Sequence, residues 1–435
     1  MAQKSQEPQS GDKVEVHFSK EIYEGVLLES PEDESGTILL KLDSGYNIGL
    51  NKKDAKEIKI LEKAETKEEQ KLELKQDENK PNLAVIFTGG TIASQYDPET
   101  GAVKWLTNPE NLFKFYPEIF DIANVSKVEV PFMKGSENID SKDWKKLAKT
   151  VKESLNDKNI EGVIVTHGTD TAHYTSAALS FFLRGKEGSE LNKPVVLTYS
   201  QRSVDRASSD ANLNLKCAAK AATSDIAEIM LVGHSSENDD FCYALPGTKV
   251  RKLHSSRRDA FEAVNSKPIA KIYPNEIERI SYYNLRNEKS KVQALSKFDE
   301  NVALLKFYPG QDPVILDYYA ENYKGVVIEA LGLGQIATSE ARKSWTAKLK
   351  EAINKGLTVC LTSQTIFGRV DPYVYSTGRE LLNTGAIFLE DMHSETAFVK
   401  LGWVLGNENW SLSHEGIKQK MLENVAGEFN DRLEE

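Results

Sequence analysis

The sequence predicts an α/β protein, with a larger and a smaller α/β unit preceded by a small antiparallel β-barrel of SH3-like type. Three observations lead there. Residues 11–60 read as short strands broken by turn residues, and the chain after Pro81 alternates continuous Val/Ile/Leu runs with helical stretches. Between them lies an almost wholly charged and polar stretch, 62–80.

The first block holds VEVHF (14–18), GVLLES (25–30), GTILLKL (36–42), YNIGL (46–50) and EIKIL (57–61). Runs of this length between turns such as Glu32-Asp33 and Asp43-Ser44-Gly45 predict a barrel over residues 1–61. No cluster in it carries chemistry. Residues 62–81 mix both charge signs without a core-forming period and predict a solvated linker.

After the linker, NLAVIFT (82–88), KVEVPF (127–132), GVIVTHG (162–168), PVVLTYS (194–200) and IAEIMLVG (226–233) are strand candidates. Helical stretches are expected at Asp143–Leu155, at SAALSFFL (176–183) and around Ala211–Ala222. Buried apolar strands separated by helices indicate a parallel sheet covered on both faces. A second set begins near residue 300 with VALLKFYPG, GVVIEALG, TVCLTS and GAIFLED, and its clearest helix is expected over Arg342–Lys355. The two units are assigned to 82–290 and 300–406, with a helical extension over 407–435. Its stretch Ser413–Leu433 is amphipathic and could dock on a neighbour.

With 435 residues the chain is long enough for two or three buried cores. An apolar share of 40% against 28% charged residues is that of a soluble globular protein. No stretch approaches the roughly 18 apolar residues of a membrane span, and the N-terminus shows no apolar signal region. A cytoplasmic protein without membrane contact is expected. The three cysteines, Cys217, Cys242 and Cys360, form no CxxC pair, which argues against a disulfide framework and a thiol nucleophile. A net charge of −11 is unusual for a lone nucleic-acid binder, because phosphate contacts dominate such affinity. Any nucleic acid is expected to be held mainly by a partner chain.

Two strand ends concentrate hydroxyls and glycine: Thr88-Gly89-Gly90-Thr91 and Thr166-His167-Gly168-Thr169-Asp170-Thr171. Ligands of open α/β sheets sit at such carboxyl ends. Glycines let the backbone turn sharply and leave N–H groups free to face a ligand; Gly90 and Gly168 are the candidates here. A threonine hydroxyl needs a base or proton relay to act as a nucleophile. Asp170 offers a carboxylate, and Lys252, in GTKVRKLHSSRRDAF, offers an amine at a strand-to-loop transition. Plainer readings stand beside these. The first loop could be a simple turn or a phosphate cradle, although it matches neither GxxxxGK[ST] nor GxGxxG. Thr169 and Asp170 could cap the following helix. His167 and His173 have no carboxylate or cysteine companion at a recognised metal-ligand spacing, so no metal site is expected, and a GxSxG elbow is absent.

VIFTGGTIAS (85–94) and VTHGTDTAHYTS (165–176) resemble, in order and spacing, the two signatures of the asparaginase/glutaminase family. The resemblance extends over residues 82–406 and implies an asparaginase-like two-domain α/β core. It implies Thr91 as nucleophile, Thr169 and Asp170 as the second threonine with its aspartate, and Lys252 as the family lysine. It also implies Ser136 at the substrate α-carboxylate and Glu137, with Asp170, at the α-amino group. The implied reaction is covalent: Thr91 attacks a side-chain amide, ammonia leaves, and water resolves the acyl-enzyme. Which threonine attacks first is left open. The family's loop tyrosine has no clear counterpart, since Ala102 and Val103 stand near its place and Tyr96 is the only tyrosine available.

The barrel, the linker and the segments SQRSVDRASSDANLN (200–214) and GTKVRKLHSSRRDAF (247–261) resemble the ammonia-generating branch of tRNA-dependent amidotransferases. That resemblance implies glutamine, or asparagine, as substrate. It implies a partner subunit that binds Glu-tRNA(Gln) and uses ATP and Mg, a homodimer within a heterotetramer, and no cofactor in this chain. A free-standing asparaginase with an accessory barrel and a non-catalytic scaffold are the competing readings.

Overall fold

The computed structural model describes residues 8–28, 36–42, 47–63, 77–96, 103–105, 112–184, 189–204, 208–287 and 289–432. Most of the expected linker, Ala102, and the side chains of Tyr96 and Val103 lie outside the described residues.

Strands β1 (Lys13–His17), β2 (Ile22–Leu28), β3 (Thr37–Lys41), β4 (Asn47–Asn51) and β5 (Glu57–Glu62) form an antiparallel sheet of order β4-β3-β2-β1-β5. Alternation in β1 buries Val14 and Val16 and leaves Lys13, Glu15 and His17 outward. Ile38 and Leu40 of β3 join them, and partly buried residues of β2, β4 and β5 close the same small core. A sheet that surrounds one core from all its strands is rolled, with β4 and β5 as its edges.

The chain then forms β6 (Asn82–Phe87), the short pair β7 (Ser94–Tyr96) and β8 (Val103–Trp105), β9 (Asn124–Glu129), β10 (Gly162–Thr166), β11 (Val195–Thr198) and β12 (Ile229–His234). After these come β13 (Cys242–Pro246), the hairpin β14 (Val250–Lys252) and β15 (Phe261–Ala263), β16 (Ala270–Ile272) and β17 (Ile277–Arg279). The large sheet runs β17-β16-β13-β12-β11-β10-β6-β9. Its strands from β12 to β9 are parallel, and β13, β16 and β17 extend it antiparallel. Both faces are buried. Ala84 and Ile86 of β6 enter one hydrophobic core while Leu83, Val85 and Phe87 enter the other. This explains why the strand reads as an unbroken apolar run.

The second sheet, β18 (Val302–Lys306), β19 (Gly325–Ala330), β20 (Thr358–Ser363) and β21 (Ile387–Phe388), is parallel and in chain order. Helices Ala172–Arg184 and Ser394–Leu405 lie between the two sheets, with the Phe181 and Trp403 rings stacked 5.6 Å apart. They belong to one apolar core that also holds Val163, Val195, Val327 and Cys360. The two α/β units therefore share packing that fixes one against the other.

Two expected elements differ. The helix expected over Arg342–Lys355 spans Thr346–Asn354 only. The residues before it form a turn in which Trp345, wholly buried, bonds through its backbone N–H to Ala337 and through its indole to Gln311. The amphipathic stretch expected over Ser413–Leu433 is helical from His414 to Leu422, and Ile417 and Met421 then bury against this chain's own core. The tail beyond it is held by Glu428, which accepts N–H groups of Val425 and Ala426 and pairs with Lys400.

Candidate active site

The topology brings the two hydroxyl-rich loops together. β6 pairs in parallel with β9 on one side and β10 on the other, with Phe87 opposite Thr166. The chain leaves β6 for β9 and later returns to β10, so the crevice above β6 is a switch point of the sheet. Thr88 ties the loops at their base, its hydroxyl donating to the Thr166 carbonyl at 2.7 Å.

Glycine decides how closely the loops approach. Gly90 has φ +82°, and a Cβ there would lie 2.4 Å from the Gly168 nitrogen. At Gly168 a Cβ would meet the Ser136 Cβ and Oγ, each at 2.7 Å. Neither contact tolerates a side chain. Thr91 and Thr169 are the next residues along each loop; Thr91 opens a short 3₁₀ turn, Thr91–Ala93, and both are half-buried.

Lys252 closes the constellation. It ends β14, and its Nζ donates to Thr169 Oγ1 and to Asp170 Oδ1, each at 2.8 Å. Its side chain is 11% exposed, whereas Asp170 is 63% exposed. The Thr169 and Asp170 side chains are thus engaged by a lysine, and the helix that follows starts at Ala172. Ser136, buried in the turn after β9, accepts the Asp170 N–H at 3.2 Å and takes the Thr171 hydroxyl on its carbonyl at 2.7 Å. The Ser136 O–H proton is still available to donate to a ligand. Glu137 is exposed beside it and accepts Asn138 Nδ2 at 3.0 Å. Hydrogen bonds therefore join Ser136, Thr169, Asp170 and Lys252 beside the two glycine loops, and the Asp170 and Glu137 residues are exposed.

Two other groups were not anticipated. Arg251, next to Lys252, reaches Glu395 Oε1 through Nε at 2.9 Å and Nη2 at 2.7 Å. His393 Nδ1 lies 3.2 Å from the other Glu395 oxygen. Arg251 stands inside the GTKVRKLHSSRRDAF segment, but Glu395 lies 144 residues further along and has no local signature. In the other marked segment, buried Asp210 accepts the N–H groups of Gln201 and Arg202 and ties down the loop after β11.

Burial lowers the pKa of both histidines near the site, His167 and His173, to about 4. The unfolded chain, with His near 6.5, binds protons first as pH falls. Stability contributed by the neutral rings is therefore present at pH 7 and lost between about pH 6.5 and pH 4, up to about 3 kcal/mol each. The urea midpoint should fall between pH 7 and pH 5, before most carboxylates titrate. An unchanged midpoint across that window would contradict the buried, neutral assignment.

Comparison with known proteins extends over most of the chain. Residues 82–284 match the family described as "Asparaginase, N-terminal", residues 301–421 the "Glutaminase/Asparaginase C-terminal domain" and residues 9–61 the "GatD N-terminal domain". The D subunit of glutamyl-tRNA(Gln) amidotransferase from Pyrococcus furiosus is 45% identical over 426 residues, covering 97% of this chain and 92% of that protein. The chain belongs to the family of glutamyl-tRNA(Gln) amidotransferase D subunits. Its Pyrococcus abyssi relative of the same name is 46% identical over 412 residues, 94% of this chain and 91% of its own length. Among solved structures, the thermostable L-asparaginase from Thermococcus kodakarensis superposes with a TM-score of 0.69 at 29% identity, covering 81% of this chain and all of that one. The chain is thus an asparaginase-like two-domain α/β body carrying an extra N-terminal sheet. No helix among the described residues is long and apolar enough to cross a membrane.

Proposed function

We propose that this chain hydrolyses glutamine to supply ammonia to a partner that amidates Glu-tRNA(Gln), as the carbon–nitrogen ligase component with glutamine as amide donor. The observation that carries the reading is Lys252 Nζ at 2.8 Å from both Thr169 Oγ1 and Asp170 Oδ1, beside the Gly90–Gly168 contact.

In this reading the Thr91 hydroxyl attacks the side-chain carboxamide carbon and its proton passes into the relay of Thr169, Lys252 and Asp170. The tetrahedral oxyanion is stabilised by backbone N–H groups of the two glycine loops. The C–N bond then breaks, the leaving nitrogen takes a proton and departs as ammonia, and an acyl-threonine remains. Water adds to that ester, and loss of Thr91 as its alcohol releases glutamate. Ser136 holds the α-carboxylate, and the Glu137 and Asp170 carboxylates receive the α-ammonium group, which places complementary charge at each end of the amino acid. ATP and Mg act in the partner subunit, which carries most of the tRNA contact. The N-terminal sheet and the stretch 62–81 serve as adaptor and linker, and the working unit is a cytoplasmic homodimer within a heterotetramer.

An ammonia-release assay tests this. Glutamine is supplied to the full chain alone, then with the partner subunit and charged Glu-tRNA(Gln). Stimulation by partner and tRNA is expected. Rapid asparagine hydrolysis by the chain alone, unaffected by deletion of residues 1–80, would instead make it a free-standing asparaginase, the activity named for the solved relative of this fold.

A further inference from the structure

The hairpin that presents Lys252 is too short to hold itself. β14 and β15 pair through only three residue couples, Val250 with Ala263, Arg251 with Glu262 and Lys252 with Phe261, and they stand outside the large sheet. An isolated two-stranded hairpin is marginal in water. A lysine side chain also has four rotatable bonds to restrain.

The restraint comes from the second α/β unit and the C-terminal tail, and it acts on Thr248, Lys249 and Arg251. Thr248 accepts the Thr396 hydroxyl on its carbonyl at 2.9 Å and donates its own hydroxyl to Ala426 at 3.0 Å. Lys249 Nζ meets Asp391 Oδ2 at 2.7 Å, with both side chains shielded from water. Arg251 meets Glu395, with side chains 22% and 9% exposed. Side chains alternate along a strand, so β14 lies between Glu395 on one face and the Thr169–Asp170 loop on the other. Burial alone would raise the Glu395 carboxyl; the His393 hydrogen bond and the nearby charges, Arg251 among them, outweigh it and hold the pKa at about 2. Glu395 is therefore ionised throughout the neutral range.

We propose that Glu395 is a positioning residue for Lys252: by clamping Arg251 it sets the seat of β14, and so keeps the lysine between Thr169 and Asp170. The proposal rests on the reading of Lys252 as part of the proton relay. Catalytic groups must be held to within a fraction of an ångström of their working place, and a misplacement of about 1 Å from a distant change can cost on the order of 100-fold in rate. A clamp of this kind acts on kcat, because Glu395 bonds to Arg251 and His393, neither of which is read as a substrate-binding residue.

The test measures glutamine hydrolysis by the full chain in its stimulated complex. Glu395→Gln and Arg251→Met are each expected to lower kcat by about 10-fold with KM within twofold. Their double variant is expected to fall no further than the worse single one, as coupled members of one contact do. Arg251→Lys, which keeps the charge and loses the fork, is expected to recover part of the loss. If Glu395→Gln does not fold, Arg251→Lys decides: an intermediate kcat supports the clamp and a wild-type kcat overturns it. Single variants that retain kcat within twofold, or losses that multiply in the double variant, also overturn it. Lys252→Met separates the two readings, since an active Lys252→Met protein removes the relay itself, whereas an inactive one beside unaffected Glu395 and Arg251 variants removes only the clamp.

Discussion

Thr91→Ala is expected to lower glutamine hydrolysis by at least about 10³-fold, the scale of removing one member of a concerted catalytic unit. The argument is chemical and geometric. Alanine leaves no oxygen to form the acyl intermediate, and the neighbouring Gly89 and Gly90, at φ +115° and +82°, keep the turn that presents residue 91. Thr91 is half-buried, so losing its hydroxyl and methyl leaves little cavity, and the melting temperature should stay close to that of the parent. Thr91→Ser should retain a substantial part of the activity because it keeps the hydroxyl. An amide-analogue electrophile should label the parent at Thr91 and leave the alanine variant unlabelled. Glutamine-dependent amidation that survives in Thr91→Ala would sink the nucleophile assignment, and labelling at Thr169 would transfer it there.

The largest effect on stability is expected from Lys400→Met. The Lys400–Glu428 pair is wholly excluded from solvent. Lys400 Nζ also donates to the Met421 and Glu423 carbonyls and sits 4.9 Å from the centre of the Phe429 ring. Burial pulls the lysine pKa down and the Glu428 charge opposes it. Methionine would fill most of the stem's space but leave the Glu428 carboxylate buried without its cation. Breaking a buried pair on one side costs about 3–5 kcal/mol. For a unit of this size that corresponds to a fall in Tm of roughly 6 °C or more. Lys400→Met/Glu428→Gln should recover part of the loss, because the uncompensated charge is gone. A single variant within about 2 °C of the parent would mean that the tail is not anchored there.

The strand runs and the two hydroxyl-and-glycine loops were legible in the sequence because each is local: an apolar run, a period of two, a turn of glycines. β6 and β10 are continuous runs that a doubly covered sheet demands, and Thr91 and Thr169 follow shortly after their ends. Lys252 was readable from its residues only as one candidate amine, and resemblance to a known motif singled it out. Its partner Asp170 is 82 residues earlier, and no spacing rule connects a hairpin lysine to the end of a different strand.

By itself, then, the sequence determined the α/β class and the N-terminal run of short strands, and it supplied the side chains proposed to react. Tertiary structure alone decided that Gly90 would press on Gly168, that Glu395 would reach Arg251, and that the tail would fold back on Lys400 instead of reaching outward. The physical reason is the range of the forces involved. Backbone preference and side-chain alternation act over a few residues, whereas a charge finds its partner only after packing has excluded water from both.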